Sequence, residues 1–133
     1  MRELADHVVS GDQAVQLKIK VIDEPGAGGA NHCYAITGFN HSTNPSANAE
    51  AHSAGDSEII LFQNGPIKDA GVNGITQEAL MAICIDRLRS FQAGPFACRE
   101  NAVALTKLEE SLMWLQRRTV ARIRRRVEGT HQK

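Results

Sequence analysis

Apolar and polar residues alternate along "AVQLKIKVI": Val15, Leu17, Ile19 and Val21 fall on one side of an extended chain, and Gln16, Lys18 and Lys20 on the other. That period of two predicts a half-buried strand. "DEPGAGGAN" interrupts it with glycines and turn formers, and "HCYAITGF" reads as the returning strand of a hairpin. These glycines lack the Gly-x-Gly-x-x-Gly spacing and open no helix, so they are read as a hairpin loop rather than a phosphate cradle. A third strand is predicted over residues 59–62, ended by Asn-Gly-Pro, with "KDAGVNG" leading out of it. Residues 40–57 hold almost no large apolar side chain. Burial there cannot offset the entropy of ordering, and a mobile surface loop is expected.

Beyond Gly74 the period lengthens to that of a helix. Thr76 is placed to cap it, Glu78 falls in its first turn, and Leu80, Ile83, Cys84, Leu88 and Phe91 recur every three or four residues until Gly94 and Pro95. A second, longer helix is predicted from about residue 98 to 125, free of internal Gly and Pro. The expected fold is α+β, a small antiparallel sheet of about three strands followed by a long helical hairpin that mediates oligomerisation. A single domain over residues 1–133 is expected, with a β-rich part (1–75), the hairpin (76–126) and a C-terminal tail (127–133).

Composition narrows the function classes. No apolar run approaches the roughly 20 residues that span a bilayer, and the N-terminus lacks the apolar stretch of a signal peptide, so a cytosolic protein is expected. Cys33, Cys84 and Cys98 are odd in number and widely spaced; reduced, mostly buried thiols are expected. His32, His41 and His52 with Cys33 match no ligand spacing, so neither a metal nor a cofactor is expected. Fifteen basic residues balance fifteen acidic ones, yet six arginines and no acid lie between residues 117 and 126. Local polarisation in a neutral chain suits a discrete anion site better than a surface for a nucleic-acid polymer.

Cys98, Asn101, Leu105, Leu108, Leu112, Leu115, Thr119 and Arg122 are spaced alternately by three and four, as in a coiled-coil seam. They can pack on the sheet or on the first helix. A helix of about 28 residues is roughly 40 Å long, however, longer than three short strands, so part of the seam is expected to meet a second chain. If two copies pair head to tail about a twofold axis, the midpoint of Asn101 and Arg122 falls between Ser111 and Leu112. Asn101 of one copy then lies beside Arg122 of the other. Arg118 sits one turn before Arg122, and Phe91 lies near the Asn101 end. Two guanidinium groups, an amide and an aromatic ring suit a nucleotide diphosphate, through bidentate phosphate contacts, a base or ribose contact and stacking. A solvated basic helix end favoured by the helix dipole explains Arg118 and Arg122 equally well on spacing alone.

From "FQNGPIKDAGVNGITQEAL" through "RSFQAGPFACRENAVALTKLEESLMWLQRRT" to "RVEGTHQK" the chain resembles the Thoeris anti-defence type 1 proteins of bacteriophages. "GPFACREN", "ALTKLEE" and "VEGTH" are the specific strings; the N-terminal strands are similar in pattern more than in words. The resemblance implies a sponge that acts in the cytoplasm of the infected bacterial host. Such a protein binds cyclic ADP-ribose isomers made by TIR-domain immune sensors and holds them intact. The hairpin is similar to that of anti-CBASS sponge proteins, and the family includes hexamers, trimers of dimers, with separate pockets for cyclic di- or trinucleotides. Ligand-binding positions implied here are Phe91, Asn101, Arg118 and Arg122. A further basic contact from the strand region has only Lys68 near it.

Two rivals stay open at this stage. A hydrolase of the same messengers wants a positioned base or metal-bound water, and Glu100 and Glu109 lie off the seam. A nucleic-acid-binding dimer would use the arginine-rich end of the second helix. The implied reading is neither of these: no enzyme, no membrane and no nucleic-acid polymer.

Overall fold

The computed structural model describes residues 1–12, 16–47 and 56–133. The chain packs into two compact units, Met1–Asn64 and Gly65–Lys133.

The first unit is a four-stranded antiparallel meander, β1 (Arg2–Leu4), β2 (Lys18–Val21), β3 (Cys33–Thr37) and β4 (Glu58–Leu61), paired in chain order. The three strands read from the pattern are β2, β3 and β4. β1 is the addition. Its three residues carry no alternation, and only its register, Leu4 opposite Ile19 and Glu3 opposite Lys20, makes it a strand. Val15 and the start of the first predicted strand lie outside the described residues, as do residues 48–55 of the expected mobile loop. Within that loop, Asn40 accepts from Ser42 N at 2.9 Å and opens a short 3₁₀ turn, His41–Thr43.

Val21, Tyr34 and Ile60 share one row of the sheet, and Ile19 pairs with Ile36 on the same face. Val21 is the most deeply buried side chain of the unit at 1% exposure. The β2–β3 link behaves as a loop: Gly28 and Gly29 take positive φ within a 3₁₀ turn, Ala27–Gly29. Asp23 ties its two ends together, accepting from His32 N at 2.9 Å and Cys33 N at 3.0 Å. The His32 amide first, with the Cys33 amide, holds this carboxyl below its usual value against the opposing effect of desolvation. Because the shift is downward, its stabilising effect is complete above the ordinary carboxylate range and is lost as pH falls through the depressed value.

In the second unit the lead-out after Asn-Gly-Pro holds a single helical turn, α1 (Ile67–Ala70), for which no element was expected. α2 (Gln77–Gln92) starts at Thr76, whose hydroxyl accepts from Ala79 N at 3.2 Å. α3 (Arg99–Arg124) starts at Cys98, whose Sγ accepts from Asn101 N at 3.4 Å. The Cys98 amide donates to Gln92 Oε1 at 3.0 Å and closes the turn between the helices. Both helix boundaries therefore fall where the caps and the Gly-Pro stop put them. The cysteines differ from expectation: Cys84 and Cys98 are exposed and Cys33 is half-buried.

The face that α2 buries also differs. Ile85 is its one buried residue, and Glu78, Met81, Leu88 and Gln92 share its side at three- and four-residue steps, whereas Ile83 is 59% exposed. The apolar list read from the sequence therefore merged two faces of the helix. α3 ends in a Schellman turn, with Arg126 N bonded to Ile123 O and Val127 N to Arg122 O. Arg126 occupies the left-handed position at φ 59° that glycine usually fills.

Two outcomes are expected. A Cβ on Gly38, at φ 91°, would sit 2.0 Å from the Gln16 carbonyl oxygen, so Gly38→Ala should lower stability in urea by about 3 kcal/mol. Arg126→Gly should raise it by about 1 kcal/mol, because a side chain is removed from a left-handed backbone.

Candidate functional site

The residue steps of the two helices decide where each candidate side chain lies. In α3 the seam from Asn101 to Thr119 is half-buried and Arg122 is buried, while most of the rest of the helix is exposed. The cover for the seam is α2 of the same chain. Leu112 lines a shallow cleft of about 270 Å³ with Ala82, Ile85 and Gln116, bridged by an Arg89–Glu109 ion pair at 2.8 Å. Both partners of that pair are solvent-exposed, so it contributes little to stability.

The four candidates form two pairs. Phe91, in the last turn of α2, and Asn101, in the first turn of α3, lie at the hairpin turn. Phe91 is 39% exposed, with the Arg87 guanidinium over its ring 5.5 Å from the centroid. Asn101 is half-buried. Arg118 and Arg122 lie toward the other end of α3, and 21 residues of continuous helix at 1.5 Å each put Arg122 about 30 Å from Asn101. One chain therefore brings Phe91 to the end that holds Asn101, and Arg118 to the end that holds Arg122. It does not bring the two pairs together.

The two arginines are not alike. Arg118 is exposed, and its guanidinium has no hydrogen bond or ion pair among the described residues. Arg122 is 5% exposed. Its Nε donates to Glu128 Oε2 at 3.2 Å, its Nη2 to the carbonyls of Val127 at 3.0 Å and Thr130 at 3.1 Å, and its Nη1 to the carbonyl of Gln132. The left-handed turn at Arg126 sends the chain back so that these acceptors face the helix it has just left. The returning segment also meets α1, where Lys68 N donates to Gly129 O at 3.3 Å and His131 approaches Asp69 at 3.8 Å. Sequence reasoning missed Glu128. A six-residue separation from Arg122 matches no helical pairing, and the only local signal is Gly129, which turns the chain at φ 82°.

Exposed apolar side chains are abundant on the hairpin: Phe96, Val103, Met113, Trp114, Val120 and Ile123 each lie more than two-fifths open to solvent. Trp114 is stacked by the Arg117 guanidinium at 4.9 Å. Among the described residues, no helix is long and apolar enough to cross a membrane.

Comparison with known proteins bears on this half of the chain. Residues 55–120 match the family Acb2/Tad1, hairpin domain. A relative named Thoeris anti-defense 1, from Bacillus phage SBSphiJ7, is 54% identical over 80 residues, which is 60% of this chain and 56% of that protein. The chain thus matches a little over half the length of that relative.

Arg122→Ala would leave Glu128 and the carbonyls of Thr130 and Gln132 without their donor, the Val127 carbonyl keeping only the Thr130 amide and hydroxyl, and the C-terminal segment should detach rather than stay unpaired. The expected result is a fall in stability of about 2 kcal/mol, with fast hydrogen exchange at the Thr130 and Lys68 amides and unchanged exchange through the middle of α3.

Proposed function

Through residues 55–120 the chain belongs to the Thoeris anti-defence family, and from that premise we propose that it is a phage anti-defence protein that sequesters cyclic nucleotide immune signals without degrading them. The signals are cyclic ADP-ribose isomers made by TIR-domain sensors, with cyclic di- or trinucleotides as further ligands. Its place of action is the cytoplasm of the infected host.

The observation that carries this reading is the separation of the candidate residues along α3. An aromatic ring and an amide lie at one end and two arginines at the other. A site that uses all four takes them from two chains. Head-to-tail pairing about the level of Ser111 and Leu112 sets Phe91 and Asn101 of one copy beside Arg118 and Arg122 of the next. That axial register holds whichever face of α3 makes the contact. The exposed apolar side chains supply the driving force, since Ile85 is the one fully buried apolar residue among the described residues of the second unit. So small a core does not sustain such a hairpin alone. A homodimer satisfies the geometry, and a trimer of dimers would use the remaining apolar surface.

In such a site Arg118 supplies the first phosphate contact, with its donors free for a bidentate grip on the pyrophosphate. Phe91 offers a ring face to a base, and Asn101 reads its edge or a ribose hydroxyl. These groups bind; none of the four is a carboxylate or histidine suited to proton transfer.

The test is to incubate the protein with cyclic ADP-ribose isomers, remove free ligand, denature the complex and analyse what is released. Recovery of the intact cyclic compound, two per twofold interface by native mass spectrometry, is the expected result; a linear product would replace the sponge with a hydrolase. Arg118→Ala should weaken binding roughly 10- to 100-fold, the loss of one or two charge-assisted hydrogen bonds, with helix content unchanged. Tight binding of DNA or RNA that falls steeply with salt would instead favour a nucleic-acid partner.

A further inference from the structure

Arg122 is buried at a place where the proposed ligand would need it, and its donors are nearly all spent. A guanidinium has five N–H groups. One on Nε goes to Glu128, both on Nη2 go to Val127 and Thr130, and one on Nη1 goes to Gln132. A single N–H on Nη1 remains. A bidentate grip on a phosphate takes two parallel N–H groups, from Nε and Nη2 or from Nη1 and Nη2. Neither pair is available while the C-terminal segment is in place.

We infer that residues 127–132 are a built-in substitute for the anion: Glu128 and three carbonyls occupy Arg122 in the unliganded protein, and an anionic ligand at Arg122 must displace them. The inference rests on the reading that Arg122 takes a phosphate, and adds to it a regulation of that site by the chain's own acid. Glu128 is the residue best suited to the part, being the one formal negative charge on the guanidinium and itself 37% exposed, open to replacement from solvent. Beyond Arg122, the chain end is tied by an exposed hydrogen bond from Arg125 Nη2 to the Lys133 carbonyl and by two contacts with α1. The Lys68–Gly129 hydrogen bond is long at 3.3 Å, and the His131–Asp69 contact of 3.8 Å joins two side chains more than 70% exposed. Release of Arg122 therefore leaves the segment held only by long or solvent-exposed contacts. Arg118, by contrast, pays no such competition and would make first contact, while Arg122 joins only when the ligand's charge replaces that of Glu128.

Occupation of Arg122 lowers apparent affinity by the fraction of time the arginine is free. A segment engaged nine-tenths of the time implies about tenfold tighter binding once it is disabled. The experiment uses the full chain and its Glu128→Gln variant, titrated separately with inorganic pyrophosphate and with cyclic ADP-ribose. Amide exchange at Lys68, bonded to Gly129 O, reports whether the segment is docked, and exchange at Thr130, bonded to Val127 O, reports whether its turn persists. Expected are loss of protection at both amides as pyrophosphate saturates the wild type, and about tenfold tighter pyrophosphate binding by Glu128→Gln.

Protection that stays unchanged or rises in the wild type with anion bound would overturn the inference, as would equal or weaker binding by a folded variant. The exchange measurement needs no variant, so a Glu128→Gln protein that fails to fold leaves the test intact. If pyrophosphate releases the segment but cyclic ADP-ribose does not bind, the sponge reading falls and the substitute stands. If cyclic ADP-ribose binds and the segment stays put, the reverse holds. If neither ligand binds, both fall.

Discussion

The contact between α2 and α3 is the constraint on which the second unit depends, and its limit is as informative as its existence. The α3 seam finds cover on α2 of the same chain, but α3 has 26 residues and α2 only 16, and one face of each helix is used. What remains open is large: aromatic and β-branched side chains on the outer faces, and a turn that carries an exposed Phe96. Free energy favours covering that surface, at roughly 25 cal/mol for each Å² of apolar area removed from water. No rearrangement of a two-helix hairpin can do so alone. Pairing with a second copy, as proposed, would cover that surface, and the length of α3 would then hold the two halves of the candidate set a fixed distance apart.

Much of this was legible in the sequence where a single local rule was decisive. Alternation marked β2 through Ile19 and Val21, Thr76 and Cys98 stand at the helix starts, and Gly94 with Pro95 end α2. β1 was not legible because three residues of mixed polarity carry no periodic signal and become a strand only by pairing with β2. The α2 face was misread for a different reason: Ile83 and Cys84 fit a helical period as well as Ile85 does, and only packing selects among overlapping stripes. The seam itself shows why spacing underdetermines function. Steps of three and four describe a helix packed on its own hairpin partner as faithfully as one paired with a second copy, so the leucines reveal a buried face without naming what buries it.

The candidate site was legible as a set of residue types and not as a set of states. Arg118 and Arg122 are one turn apart, carry the same charge and read alike, yet one is open to solvent and the other is nearly enclosed by the chain end. What separates them is non-local along the helix: a reversal at Arg126, then Glu128 and a run of carbonyls that come back to the seam. Arg126 holds a conformation that costs an L residue about 1–2 kcal/mol, and a persistent strain of that kind requires compensation from its surroundings. The four hydrogen bonds on Arg122 supply it. Turn and clamp support each other, since the turn aims the acceptors and the acceptors keep the turn closed.

This coupling bears on the chain's neutral charge. A cluster of six arginines in so short a stretch repels itself, and the chain lessens that cost in two ways: stacking Arg117 on Trp114 and enclosing Arg122 with Glu128 and carbonyl dipoles. Arg125 donates to the Lys133 carbonyl, while Arg118, Arg124 and Arg126 receive neither treatment. A protein that needed all its arginines for a long polyanion would leave them uniformly solvated and equally spaced. Unequal handling, with Arg118 open and Arg122 enclosed one turn away, is what the proposed compact ligand asks for, its charge confined to one or two phosphates and met at defined points.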